Sequence, residues 1–365
     1  MRFVLLVCCL GLMIPAAGSA WAQPQVQDMD GAINHGETVT ILGTDFGAKS
    51  PAAPMRYDNF EDGTPGGALK PMDEGGWYTF EYTGVRPTYS QGRQRVPGEM
   101  SVIQDYSVSS NQTIGLKYMD VDTLYVSGWT YRDDFDGTAM SSENVKFWGN
   151  FTHAEPGDVF TNPQCRYDAY WATNSGHLYV NVENSGDPMA RGDYAGPRAY
   201  LNEWFRLERY IAIGNPGEPN GSSWCAYNGD RFSEISGIFR HTNLSYNYWL
   251  IGQYFRKRPS SDQSLPEASV KTYWGELYVD NTRARIEIGN NINFEACTHR
   301  EIQVPETWND GQITFQVNQG TFPMGEDLFL FVVDENDRPS VGFPVTMNSQ
   351  VTVSGPGQPG PPVRD

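Results

Sequence analysis

The side-chain alternation of residues 273–289, YWGELYVDNTRARIEIG, changes phase partway along the stretch. Leu277 and Val279 are the aliphatic positions of its first half, and Ile286 and Ile288 are those of its second half. Because the side chains of a strand alternate with a period of two, these two pairs cannot line one core without a bulge or a break. The sequence therefore predicts two strands that contribute to two different cores.

The N-terminal residues 1–22 have the pattern of a secretory signal peptide. Arg2 is followed by an apolar run over residues 3–17 and by the small-x-small site Ala20-Trp21-Ala22. This apolar run is shorter than the ~20 residues that a spanning helix requires. We expect a secreted protein, extracellular or periplasmic, that is not inserted in a membrane after cleavage of the signal.

The charge balance restricts the classes of partner. The chain has 26 Lys and Arg residues against 44 Asp and Glu residues, a net charge of −18. Nucleic acids and anionic membrane surfaces bind basic patches, so this balance argues against both. A neutral partner or a divalent cation fits the charge better.

Three of the five cysteines lie beyond the signal. In an exported protein a disulfide is plausible, and we predict one between Cys165 and Cys225, which belong to the same predicted domain. Cys297 would then be an unpaired thiol. A zinc site is not expected, because no CxxC motif is present.

The first strand after the signal region resembles the opening of an IPT/TIG domain, a small immunoglobulin-like sandwich. The matching positions are Gly36, Val39, Thr40, Ile41, Gly43, Phe46 and Gly47. The strands that should follow in this family come only after residue 282, where five short segments are separated by turn residues. They are residues 283–289, 301–305, 312–317, 327–333 and 342–347.

We therefore predict a split immunoglobulin-like domain over residues 30–54 and 282–350, with a second domain inserted at residues 55–281. The chain would cross between the domains at residues 281–282. Two tandem domains with an unrelated N-terminal arm are the alternative. Residues 351–365 are rich in Pro and Gly and predict a disordered tail.

The insert resembles the jelly rolls of the concanavalin A-like lectins and glucanases. The acidic segment at residues 58–63 and the closing Tyr278-Val279-Asp280 match the paired end strands of that fold, and inner matches occur at residues 204–208, 227–229 and 251–253. The resemblance implies an all-β jelly-roll sandwich. It also implies a structural calcium near the joined ends, for which Asp58, Glu61 and Asp280 are the candidate ligands. No organic cofactor is expected.

Four predicted strands of the insert carry aliphatic residues on one face and aromatic and hydrogen-bonding residues on the other. They are residues 123–131, 144–151, 177–183 and 204–211. Flat rings beside polar groups are the chemistry that sugars require, although packing against a further layer is the alternative. The predicted glycan-binding residues are Tyr125, Trp129, Tyr131, Lys146, Trp148, His177, Tyr179, Asn181, Trp204, Arg206, Glu208 and Tyr210.

This pattern favours a secreted protein that binds a polysaccharide or glycoconjugate in a groove on the concave sheet. A polysaccharide lyase acting on a uronic-acid-containing glycan is the first alternative, with His177, Tyr179 and Arg206 as its candidate catalytic residues. A structural or adhesive surface protein is the second. A glycoside hydrolase is disfavoured, because the paired carboxylates of glucanases, E-x-D-x-E on one strand, do not occur. Whether the protein catalyses turnover stays open.

Overall fold

The computed structural model describes residues 22–79, 85–106, 108, 112–133, 144–151, 164–170, 177–183, 202–240, 243, 245–256 and 271–347. In residues 144–151, 164–170, 177–183, 232–233 and 253–256 it describes the backbone alone. The predicted signal peptide and C-terminal tail lie almost wholly outside these ranges. Among the described residues, no helix has the length and apolar character to cross a bilayer.

The described chain consists of strands, with short 3-10 turns at Met72–Glu74 and Phe294–Ala296. The strands are β1 Gln25–Asp30, β2 Thr38–Thr44, β3 Arg56–Asp58, β4 Thr88–Ser90, β5 Ser101–Asp105, β6 Ile114–Val121, β7 Thr123–Asp133, β8 Asn144–Phe151, β9 Gln164–Tyr170, β10 His177–Glu183, β11 Trp204–Ala212, β12 Gly221–Tyr227, β13 Asp230–Gly237, β14 Tyr246–Arg256, β15 Lys271–Asp280, β16 Arg285–Gly289, β17 Arg300–Asn309, β18 Gln312–Gln316, β19 Asp327–Val333 and β20 Phe343–Thr346.

Two antiparallel sheets form a jelly-roll sandwich, which confirms the predicted all-β fold. The eight-stranded sheet has the order β13-β12-β11-β7-β15-β5-β4, with β3 paired to the same strand β15. The five-stranded sheet has the order β10-β9-β8-β14-β6. Phe205 and Leu207 of the larger sheet share one buried core with Trp249 and Ile251 of the smaller sheet.

A seven-stranded sheet, with the order β1-β2-β18-β17-β16-β19-β20, contains strands from both ends of the chain. Strand β2 pairs with β18, where Val39 lies opposite Phe315. This long-range pairing is what a split domain requires, and the assignment of the sheet to the IPT/TIG family stays a prediction. Strand β1 extends the same sheet beyond the segment that the sequence motif suggested.

The change of phase within residues 273–289 corresponds to two separate cores, as the sequence predicts. Leu277 and Val279 of β15 lie in the core of the sandwich, whereas Ile286 and Ile288 of β16 lie in the core of the seven-stranded sheet. The intervening residues 281–284 form the crossing. The strands predicted around residues 123–131, 144–151, 177–183 and 204–211 are all present.

Candidate functional site

The polar and aromatic face of the eight-stranded sheet is an interface inside the protein. Arg206 and Glu208 are 2% and 1% exposed. Ile302 of β17 packs into one apolar cluster with Tyr125, Tyr210 and other residues of this face. The predicted open groove is therefore wrong for five of its residues, which the seven-stranded sheet and a neighbouring loop bury; they are Tyr125, Trp129, Arg206, Glu208 and Tyr210. Tyr131 and Trp204 are half-buried under the same loop.

Arg206 lies at the centre of a charge network that joins the eight-stranded sheet to the seven-stranded sheet. Its Nη1 donates to Glu287 Oε2 at 2.8 Å, and its Nε donates to Ser127 Oγ at 2.8 Å. Burial alone would raise the pKa of the Glu287 carboxyl, but the guanidinium groups of Arg206, Arg285 and Arg300 bring it well below its usual range. Arg206 is thus bound to partners inside the protein.

A second network lies around Glu301 of β17. This carboxylate accepts hydrogen bonds from Arg95 Nη1 at 2.5 Å and from Trp129 Nε1 at 3.1 Å. Burial alone would raise the pKa of Glu301, but Arg95 and His299 outweigh that effect and bring the pKa down to about 2. Glu276 of β15 accepts from Asn318 Nδ2 at 2.9 Å, and burial keeps its pKa above the ordinary value. Buried charges of both signs therefore join the two sheets.

The loop of residues 91–99 covers the aromatic end of the same face. The Arg93 guanidinium lies 5.2 Å from the ring centroid of Tyr131, and that of Arg95 lies 4.8 Å from the centroid of Trp129. Between them, the carbonyl oxygen of Gln94 accepts from Trp204 Nε1 at 3.2 Å. Three of the predicted glycan-binding rings thus pack under a loop of the protein itself.

The other five predicted residues lie on the five-stranded sheet, so the predicted set is divided between two sheets. Lys146 and Trp148 belong to β8, and His177, Tyr179 and Asn181 belong to β10. The side chains of all five lie outside the described part of the structure. The predicted catalytic set is divided in the same way, because Arg206 is on the opposite sheet from His177 and Tyr179.

The backbone register places polar and ionisable residues in one row across four strands of the five-stranded sheet. Lys146 lies opposite Tyr254 on one side and opposite Asp168 on the other, and Asp168 lies opposite Tyr179. Residues directly opposite each other occupy the same face of a sheet. His177 and Asn181, two residues on either side of Tyr179, share that face, as do their partners Tyr170 and Arg166.

The outer face of the five-stranded sheet carries an aromatic patch that the sequence reasoning missed. We call Tyr78, Lys117, Tyr118 and Tyr248 the tyrosine patch. The ring of Tyr248 lies 5.8 Å from that of Tyr78 and 6.4 Å from that of Tyr118, centroid to centroid. Tyr248 and Lys117 are cross-strand partners, and Tyr118 is 62% exposed.

Local backbone geometry is the reason that this patch escaped a pattern search. Tyr118 has a φ of 61°, in the left-handed region that side chains other than Gly seldom adopt. The pairing of β14 with β6 is irregular between Tyr246 and Tyr248. Alternation alone therefore misplaces these rings.

Each of the three candidate calcium ligands has a partner within the protein, either a hydrogen-bond donor or a lysine. Asp58 accepts from Trp77 Nε1 at 2.7 Å, Glu61 accepts from the backbone N–H of Met100, and Asp280 pairs with Lys49. Within the described ranges, no three metal-ligating side chains are grouped as an ion would require. Calcium at this end of the domain stays a prediction.

The predicted disulfide also stays a prediction. Cys225 is buried on β12 and belongs to the sandwich core. Cys165 lies on β9 of the facing sheet, opposite Val182, and its side chain lies outside the described part.

No family model and no curated protein sequence matches the chain. Among solved structures, the chain is similar to the alginate lyase Aly36B, with a TM-score of 0.43 and 12% identity over 63% of this chain and 97% of that one. It is also similar to an endo-β-1,4-glucuronan lyase from the fungus Trichoderma reesei, with a TM-score of 0.41 and 11% identity over 62% and 95%. A third similarity is to the metal-free carbohydrate recognition domain of Emp46p, with a TM-score of 0.31 and 8% identity over 50% and 88%.

Proposed function

We propose that this chain is a secreted carbohydrate-binding protein and that the tyrosine patch contacts the glycan. The observation that carries the proposal is the Tyr118 ring, which is 62% exposed and lies beside two further tyrosine rings. An exposed ring of this size on a sheet presents a flat apolar surface, and its hydroxyl is a hydrogen-bonding group. Sugar rings have C–H faces and hydroxyls that match both features.

Strand pairing and burial position part of the patch. Tyr248 and Lys117 are paired strand residues, and the backbone N–H of Tyr78 donates to Gly115 O on β6 at 2.9 Å. Tyr248 is buried among these neighbours. Side chains that are already ordered lose little conformational entropy on binding, which favours affinity.

Binding to a panel of soluble polysaccharides, measured by affinity electrophoresis and calorimetry, tests the proposal. By analogy with aromatic stacking on bases, Tyr118→Ala should lose ~1–3 kcal/mol, roughly a 5- to 150-fold weakening. Val341→Ala is the matched control, because Val341 is a similarly exposed apolar residue away from the patch. Equal binding by Tyr118→Ala and the unmodified protein would exclude the patch as the glycan surface.

A polysaccharide lyase is the second candidate, and the cross-strand row through Lys146, Asp168 and Tyr179 favours it. Elimination requires a base for the proton beside a uronate carboxylate, a cation or amide for that carboxylate, and an acid for the departing glycosidic oxygen. Tyr179 and His177 are residue types suited to the proton transfers. Lys146 or Arg166 would neutralise the carboxylate in place of Arg206, which belongs to the interface.

The lyase candidate is tested by the ultraviolet absorbance of the unsaturated uronic product. Tyr179→Phe should lower the rate of product formation roughly a hundredfold or more if Tyr179 transfers a proton. Tyr131→Phe makes the same chemical change on the opposite sheet and should leave the rate unchanged. Binding of uronate polymers without any unsaturated product selects the binding protein over the lyase.

A further inference from the structure

Lys117 differs from the other lysines whose side chains the structure describes. Lys49, Lys70 and Lys271 each lie within ion-pair distance of an aspartate. No carboxylate in the described ranges lies that close to Lys117, and its ammonium group lies over two tyrosine rings instead. Its Nζ is 4.8 Å from the ring centroid of Tyr78 and 4.9 Å from that of Tyr118.

The position of this ammonium group is set by the sheet. Lys117 lies opposite Tyr248 in the pairing of β6 with β14, so its stem crosses the tyrosine patch and is only partly exposed. Long lysine side chains bury their methylene groups along apolar surfaces and keep the charge at the solvent boundary. The cation is therefore located at the surface that would face a stacked ring.

Because the whole chain is strongly negative, a positive group at its surface matters for the kind of ligand that can bind there. A protein with a net charge of −18 repels polyanions at long range, and an acidic ligand can bind it only where a local cation opposes that field. Asp120 is exposed three residues further along β6, yet it forms no ion pair with Lys117 among the described contacts. Among the described residues, the charge of Lys117 therefore has no carboxylate partner.

We propose that the tyrosine patch takes an acidic glycan and that Lys117 pairs with an anionic group on the sugar. This inference rests on the proposed glycan-binding function and adds the class of ligand. The shared chemistry is a pyranose ring that stacks on Tyr118 and carries an anionic oxygen group. A uronate carboxylate and a sulfate ester both supply that group, and both accept charge-assisted hydrogen bonds from an ammonium.

Matched polymer pairs test the charge requirement with the full-length mature protein. One arm compares a polyuronate with its carboxyl-reduced, neutral form, and the other compares a sulfated galactan with its desulfated form. We expect at least one acidic polymer to bind about tenfold or more tightly than its neutral partner, because hydrogen bonds to charged groups are the stronger class. The arm that shows the difference identifies the anionic group.

Three variants assign the effect to Lys117. Lys117→Met keeps the apolar stem and removes the charge, so it should bind both members of a pair with the weaker, neutral affinity. Lys117→Arg should recover most of the acidic preference, and Lys70→Met, at an exposed lysine paired with Asp62, should change nothing. Thermal unfolding of each variant establishes that the sheet remains folded.

The outcomes separate this inference from the proposed function. Equal affinity for the acidic and neutral forms in both arms, or an acidic preference that Lys117→Met retains, would overturn the role of Lys117 and leave glycan binding by Tyr118 in place. An absence of binding to all four polymers would overturn both proposals for these glycan classes.

Discussion

Lys49 Nζ lies 2.5 Å from Asp280 Oδ2, and the two side chains are 0% and 1% exposed. Lys49 follows β2, and Asp280 is the last residue of β15, so each lies where the chain passes between the sandwich and the seven-stranded sheet. Burial lowers the pKa of Lys49 and raises that of Asp280, and each partner opposes the shift of the other. The pair thus holds the two crossings together.

Removing one member of this pair should leave an uncompensated buried charge. We expect Lys49→Met and Asp280→Asn each to lower the free energy of unfolding, with Lys49→Met costing ~3–5 kcal/mol because Asp280 stays buried and ionisable. The double variant should cost less than the sum of the two single variants. Chemical denaturation of all four proteins measures the coupling, and strict additivity would show that the two groups do not interact in solution.

Adjacent residues of β11 should respond differently to truncation. Phe205 is fully buried in the sandwich core, so Phe205→Ala should cost ~3–5 kcal/mol of stability. Trp204 lies on the opposite face under Gln94, partly exposed, and Trp204→Ala should cost less. Glycan affinity should survive Trp204→Ala, because that ring is not part of the tyrosine patch. A large loss of affinity in this variant would restore the eight-stranded sheet as a binding surface.

Acid should weaken the interface between the sheets. The folded pKa of Glu301 is about 2, below its ordinary value of 4.5, so the stability that it contributes is complete above pH ~4.5 and declines as the pH falls towards 2. The shift corresponds to roughly 3 kcal/mol. Glu301→Gln should be less stable at neutral pH and should show a shallower loss between pH 4.5 and 2. Parallel acid-unfolding curves for the two proteins would contradict this assignment.

Glu99 should have the opposite pH dependence. Burial raises its pKa to about 7, opposed by Arg95 and reinforced by Glu61, Glu276 and Glu301. A raised carboxyl pKa means that the folded state binds more protons, so this contribution is largest below pH ~4.5 and is lost as the pH rises to 7.

The matching variant is Glu99→Gln, which cannot ionise. Relative to the unmodified protein, it should gain stability between pH 5 and pH 8 by ~1–2 kcal/mol, a figure reduced for solvent screening of a partly exposed group. Melting temperatures at the two pH values measure the change. An unchanged difference between the two proteins would mean that Glu99 titrates normally.

Much of the local structure follows from alternation in the sequence. Leu124 and Phe205, on the apolar faces predicted for residues 123–131 and 204–211, lie in the sandwich core, and the phase change between Val279 and Ile286 separates two cores. These assignments succeed because the period of a strand is a local property and because a buried face must be apolar. The jelly-roll class follows from the same regularity.

Tertiary structure decided what covers the second face of each sheet. The strands β7 and β11, which bear Trp129 and Arg206, have the same local sequences whether that face meets a sugar or another sheet. The difference lies in Glu287 and Glu301, far along the chain, whose carboxylates reach those two side chains only after β16 and β17 dock. Complementary buried charges are a long-range property, and no periodicity in one strand encodes them.

The exposed candidate site likewise depended on geometry that alternation does not specify. The left-handed backbone at Tyr118 and the irregular pairing at Tyr248 bring residues from three separate segments together. The sequence by itself determined the strands, their apolar faces and the change of core at the crossing. Only the packing of three sheets decided which polar face is interior and which ring meets solvent, because burial depends on partners that are distant in the chain.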